Sequence, residues 1–144
     1  EEDFYKPYLQ QETLVHDPYS TLKLAYAAVV NSGTATLETA LIGCPQTAVY
    51  HVTGSKYLEK IFRPIIFSIP YFTLVNIIPQ QEIIQELIAS RFTEENIINE
   101  LYKLLNDPIY RKRMINNYQK IWDILGNDST AENAATHISL LVNH

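Results

Sequence analysis

Along the first half of the chain, short apolar runs alternate with stretches in which apolar residues recur every three or four positions. "TLVHD" (Thr13 to Asp17) is short, apolar and closed by Pro18, which predicts a strand running into a loop. "YSTLKLAYA" follows with Leu22, Ala25 and Tyr26 on one helical face. "AAVVN" is an unbroken apolar run, the pattern of a strand covered on both sides in a parallel sheet. Next comes a helix from about Thr34 to Ile42, stopped by Gly43 ahead of Pro45. "QTAVYHV" predicts a third strand, "SKYLEKIFR" a third helix and "FTLVNII" a fourth strand.

Beyond that point only helical spacing remains. "PQQEIIQELIA" has a proline near its first turn and sets Ile83, Ile84, Leu87 and Ile88 on one stripe. "TEENIINELYKLL" has Thr93 as its cap, with Ile97, Ile98, Leu101, Leu104 and Leu105 inward. "DPIYRKRMINNYQKIWDIL" starts from Asp107 as N-cap with Pro108 at the first helical position, and ends at Gly126. "STAENAATHISLLV" opens with Ser129 and Glu132 as a capping box. Alternating strands and helices predict βαβ units with right-handed crossovers. The fold class is therefore α/β, a parallel sheet with a helical C-terminal tail.

Composition narrows the function. The 144 residues suit one domain, and 47% hydrophobic against 19% charged residues describe a packed core. A net charge of -5 argues against nucleic acid as a partner. The single Cys44 cannot form an internal disulfide. His16, His51, His137 and His144 show no metal-ligand spacing, so neither a metal nor another cofactor is expected. No apolar run approaches the roughly 20 residues that span a bilayer. "EEDFYKPYLQ" resembles no signal or transit peptide, which makes a cytoplasmic setting the expectation.

The chemistry concentrates in "VVNSGTATLE", where two valines lead into Asn31 and the chain turns through Ser32, Gly33 and Thr34 into a helix. Ligands of parallel α/β sheets sit outside the carboxyl ends of the strands. At such an end the first amides of the helix lack partners, and the helix dipole adds partial positive charge. Glycine admits close approach, and Ser32 and Thr34 offer hydroxyls: a phosphate cradle without the lysine of a P-loop. Glu38 lies four residues past Thr34 on the same face, where a carboxylate can accept both hydrogens of a ribose diol. Ser, Gly and Thr also serve simply to cap helices, and a lone glutamate is commonly solvated. Both readings stay open on these residues alone.

"SGTATLETALIGCPQTAVY" resembles a segment of lipid-A-disaccharide synthase, in which a Ser-Gly-Thr-Ala-x-Leu-Glu run precedes a proline and a short strand ending in tyrosine. The similarity continues through "YFTLVNIIPQQEIIQELIASRFTEENI" and, more weakly, to the alanine-rich "AENAATHI". The resemblance implies the C-terminal, donor-binding half of a GT-B glycosyltransferase, with a Rossmann-like sheet whose first strand is missing here. It implies residues 1–144 as one nucleotide-sugar-binding domain, with a tail helix over 127–144 that crosses to an absent N-terminal domain. The implied reaction joins UDP-2,3-diacylglucosamine to 2,3-diacylglucosamine 1-phosphate. The implied partners are that donor, a lipid acceptor reached through the missing domain, and the cytoplasmic face of the inner membrane. The general base would lie on the missing half, leaving no catalytic residue in this chain and no activity in isolation. The apolar tail stripe Ala131, Ala134, Ala135, Ile138 and Leu141, lacking that domain, would dock on another copy of the chain.

Carried over residue by residue, Ser32, Gly33, Thr34 and Ala35 would face the diphosphate, and Glu38 would take the ribose hydroxyls. Asn76 would hydrogen-bond a donor phosphate or sugar hydroxyl. Glu82 and Glu86 match acidic positions on the following helix, and His51 ends a strand beside the cleft. The chain departs from the family at Gln80-Gln81, where a Gly-Arg pair is common, at Ala89 in place of glutamine, and at His51 in place of a basic residue. Those departures leave the helix N-terminus as the main anion anchor. The competing readings are a nucleotide-sugar epimerase-like domain and a free-standing α/β binding module. For a receiver-like version of the latter, Asp17 alone does not supply the acidic cluster required.

Overall fold

The computed structural model describes residues 15–31, 33–51 and 70–126. Strands β1 (Ala28–Asn31), β2 (Gln46–Tyr50) and β3 (Glu86–Ile88) form one sheet in that order, and both pairings are parallel. The Rossmann-like α/β class expected from the sequence is the one observed, with helices alone after β3 among the described residues. The predicted helix over 55–63 and the tail over 127–144 lie outside the described residues.

Helix α1 (Pro18–Leu24) starts one residue ahead of the expected Tyr19 and stops at Leu24, so Ala25 and Tyr26 do not lie on it as expected. Asp17 is its N-cap, accepting from the Ser20 amide at 3.2 Å, and Pro18 stands at the start of the helix. Hydrogen bonds from Ser20 hold the Asp17 carboxyl below its usual range. Val15 to Asp17 are not extended, so no strand occupies the described part of "TLVHD". The chain then enters β1, in which Ala28 and Val30 are half-buried while Val29 and Asn31 are exposed. The exposed face carrying Val29 and Asn31 corrects the expectation that β1 is covered on both faces.

Helix α2 (Thr34–Ile42) carries the crossover from β1 to β2. It ends as predicted at Gly43, whose φ of 91° lets the Gly43 amide reach Ala40 O at 3.0 Å and the Cys44 amide reach Thr39 O at 3.1 Å.

Two elements exchange identity relative to the sequence reading. "FTLVNII" is not a strand; it holds a single helical turn, α3 (Leu74–Ile77). "PQQEIIQELIA" is not a helix; it contains β3, followed by a 3-10 turn over Ala89–Arg91 that opens with Ala89 at φ 51°. The cause is a buried polar network around Asn76 and Glu86, described below.

Helix α4 (Glu94–Asn106) is capped by Thr93, whose hydroxyl accepts from the Asn96 amide at 3.2 Å. Helix α5 (Pro108–Leu125) is capped by Asp107, whose Oδ1 accepts from the Ile109 and Tyr110 amides at 2.9 Å each. On α4, Leu104 is buried and Ile97 and Leu101 half-buried, but Ile98 and Leu105 are exposed rather than inward. Glu86 on β3 reaches toward α3, and α3 packs on α2, which sets both helices on one face of the sheet. Gln85 and Leu87, of opposite parity, face α4 on the other side. The core joins Ala40, Ala48 and Val75 to Leu104, Met114, Tyr118 and Ile121.

Two tyrosines of α5 seal that core. The Tyr118 hydroxyl donates to Cys44 O at 3.2 Å, and the Tyr110 hydroxyl donates to the buried Glu100. Burial pushes both phenols above their ordinary value of 10.0, and Glu100 adds to the effect at Tyr110. Above about pH 10 the unfolded chain loses phenolic protons that the folded chain keeps, so unfolding gains free energy as pH rises. Stability is expected to hold below pH 10 and to fall steeply above it. Urea midpoints between pH 8 and pH 11.5 check this, with Tyr118→Phe flattening the alkaline limb.

Candidate nucleotide-sugar site

The corner after β1 opens at the carboxyl end of the sheet. Gly33 is the N-cap of α2, with φ 146° and ψ -161°, and no side chain caps the helix. A Cβ at Gly33 would meet nothing within 4 Å, so conformation rather than crowding demands glycine there. Gly33, Thr34 and Ala35 are exposed. The first amides of α2 therefore face solvent, carrying the partial positive charge of a helix start. Ser32 lies outside the described residues.

The corner is braced from within by residues that the sequence reading did not single out. Thr36 is buried, and its hydroxyl and amide donate to Gly33 O at 2.7 and 3.2 Å. Thr39, also buried, donates from its hydroxyl to Ala35 O at 2.7 Å. Gln46 at the start of β2 sends its Nε2 to Thr36 O at 2.8 Å. Such back-bonding lets two threonines occupy the inward face of a helix without unpaired hydroxyls. The Gly33-x-x-Thr36 spacing was the available signal, since a hydroxyl three residues past a helix start reaches the cap carbonyl.

Glu38 is exposed on α2 one turn beyond Thr34, in the relation the sequence predicts. His51 follows the last residue of β2 at the same rim, its ring centroid 5.4 Å from that of Phe92 and tilted by 55°. The structure thus sets Gly33, Thr34, Ala35, Glu38 and His51 at or near one end of the sheet.

Asn76 and Glu86 are elsewhere. Asn76 is 0% exposed, and its carboxamide is fully engaged. Its Oδ1 accepts from the Ile83 and Ile84 amides at 2.7 and 3.0 Å; its Nδ2 donates to Ile84 O at 2.9 Å and to Glu86 Oε1 at 3.0 Å. Glu86, 9% exposed, accepts at Oε1 from the Thr73 amide and hydroxyl at 2.8 Å each, and the Phe72 amide lies within 3.1 Å of both carboxyl oxygens. In this structure both side chains face inward and join α3 to β3. Glu82 is exposed but lies in an irregular segment, not on a helix. Gln81, at the departure from the family pattern, accepts from Lys120 Nζ of α5 at 2.9 Å.

The family described as lipid-A-disaccharide synthetase matches residues 4–138. Three relatives are each called lipid-A-disaccharide synthase. The protein of Syntrophus aciditrophicus is 39% identical over 124 residues, covering 86% of this chain and 32% of its own length. That of Gloeothece citriformis is 33% identical over 132 residues, covering 90% and 34%. That of Coxiella burnetii is 30% identical over 144 residues, covering 97% and 37%. The chain spans about a third of the length of these relatives. With a Rossmann-like sheet, an open glycine corner at its carboxyl end and this match along nearly its whole length, the chain belongs to the lipid-A-disaccharide synthetase family.

Proposed function

We propose that this chain is the donor-holding part of an inverting glycosyltransferase that joins UDP-2,3-diacylglucosamine to 2,3-diacylglucosamine 1-phosphate and releases UDP. The observation that carries the reading is the exposed Gly33–Ala35 corner, whose uncapped amides lie at the carboxyl end of a parallel sheet. In this reading Ser32, Gly33, Thr34 and Ala35 hold the diphosphate, and Glu38 accepts the ribose hydroxyls. The amides speed transfer to the extent that they bind the leaving UDP more tightly as its charge builds. The acceptor and the general base belong to the longer protein, so this chain alone binds UDP without turning over. No helix among the described residues is long and apolar enough to cross a membrane. We assign the full protein to the cytoplasmic membrane face, and its tail over 127–144 to contact with the rest of that protein or with a second copy.

Calorimetry with UDP and ADP tests the reading. UDP is expected to bind with a preference over ADP, and Glu38→Ala is expected to weaken UDP by about tenfold, the loss of a charge-assisted pair of hydrogen bonds. Equal affinity for the two nucleotides, or an unchanged Glu38→Ala variant, overturns it.

A further inference from the structure

The buried side of the glycine corner is more polar than packing requires. The residues that α2 buries are Thr36, Thr39 and Ala40, so hydroxyls stand where apolar side chains would serve. Gln46, at the start of β2, is 0% exposed. Its Nε2 donates to Thr36 O at 2.8 Å, while its Oε1 has no hydrogen-bond partner among the described residues. A buried, unpartnered carbonyl oxygen opposes folding, and an apolar residue at this position would remove it. What Gln46 supplies in return is a hold on Thr36. The Gln46 amide also donates to Met114 Sδ at 3.4 Å, which seats the residue against α5.

Peptide geometry carries that hold to the surface. No peptide bond among the described residues is cis. In the planar Gly33–Thr34 unit the carbonyl and the N–H therefore point in opposite directions. Gly33 O accepts twice from inside, from the Thr36 hydroxyl at 2.7 Å and from the Thr36 amide at 3.2 Å. With that carbonyl drawn inward, the Thr34 N–H is turned outward, at a residue that is exposed. Glycine leaves this peptide free to rotate, so the direction of the donor depends on what grips the carbonyl. We propose that Thr36 is a positioning residue, anchored by Gln46, that aims the Thr34 amide at the diphosphate of the nucleotide donor. This rests on the diphosphate assignment above and deepens it: affinity is set by a hydroxyl that never touches the ligand.

Calorimetry of the 144-residue chain with UDP, paired with thermal unfolding, tests this on two variants that separate the hydroxyl from the methyl. Thr36→Val keeps the volume and loses the hydroxyl; Thr36→Ser keeps the hydroxyl and loses a buried methyl. Thr36→Val is expected to weaken UDP about tenfold, as a charge-assisted hydrogen bond to the anion goes out of line, and to move the Thr34 amide resonance of the free chain. Thr36→Ser is expected to lower the thermal midpoint yet keep UDP affinity within about twofold of the parent. Gln46→Met, of similar length but without a donor, should weaken UDP about threefold. Affinity then follows the hydroxyl, whereas a purely structural role would make it follow the midpoint. A Thr36→Val chain that binds UDP like the parent overturns the proposal, as does a Thr36→Ser chain that loses as much affinity as Thr36→Val. In both of those results the parent still binds UDP. A parent that does not bind it overturns the donor-site reading itself, and this proposal with it.

Discussion

Replacing Glu86 by alanine is expected to destabilise the chain by about 3–5 kcal/mol, the range for removing one side of a buried, fully bonded charged group. The lost carboxyl group receives the amides of Phe72 and Thr73, the Thr73 hydroxyl and the Asn76 amide nitrogen. The Thr73 and Asn76 donors have no room to find water without opening the interior, since both residues are buried. Glu86→Gln keeps the shape and one acceptor oxygen but adds a donor facing donors. It is expected to recover roughly half of the loss. Urea unfolding of the two variants checks both figures. A Glu86→Ala chain within 1 kcal/mol of the parent would show that the network is not a main support of the fold.

The second large effect is at the corner. Gly33→Val puts a β-branched residue at φ 146°, a region that side chains of L-residues rarely adopt. Nothing lies within 4 Å of the new Cβ, so the cost is backbone strain of about 1–3 kcal/mol, not a clash. The chain is expected to relieve that strain by rotating the corner, which turns the Thr34 and Ala35 amides off their common target. UDP affinity should then drop by more than tenfold while the urea midpoint falls only modestly. Calorimetry and denaturation on the same sample separate the two. An unaltered affinity would show that the corner amides do not hold the nucleotide.

Sequence pattern located most of the elements, and the failures share a cause. Helix starts were legible where a cap was read in the chain, at Thr93 and Asp107, because capping is local chemistry. Gly43 was equally readable as a helix stop. The exchange of helix and strand between residues 72 and 88 was not readable. Ile83, Ile84, Leu87 and Ile88 do sit at helical spacing. The first two instead offer their amides to Asn76, and the other two belong to a three-residue strand too short to display its period of two. Local propensity yields there to a polar network whose partners are up to 14 residues apart. For the site, position was legible and role was not. Gly33, Thr34, Ala35 and Glu38 fall at or beside the rim, while Asn76 shows that an asparagine in a familiar motif can serve the interior.

The wiring of the sheet also dictates an order of assembly. β2 is the central strand, but β3 arrives only after the chain has passed through the 35 residues from His51 to Gln85. Arg111, which lies 3.5 Å over the Tyr26 ring and donates to Tyr26 O, comes later still. A nascent chain emerging from the ribosome therefore presents β1 and β2 as an unfinished ribbon, with Val29 outward, until the α5 sequence is made. Premature termination before Arg111 would leave that ribbon without its tether, and such products are the ones that chaperones and proteases should recognise first.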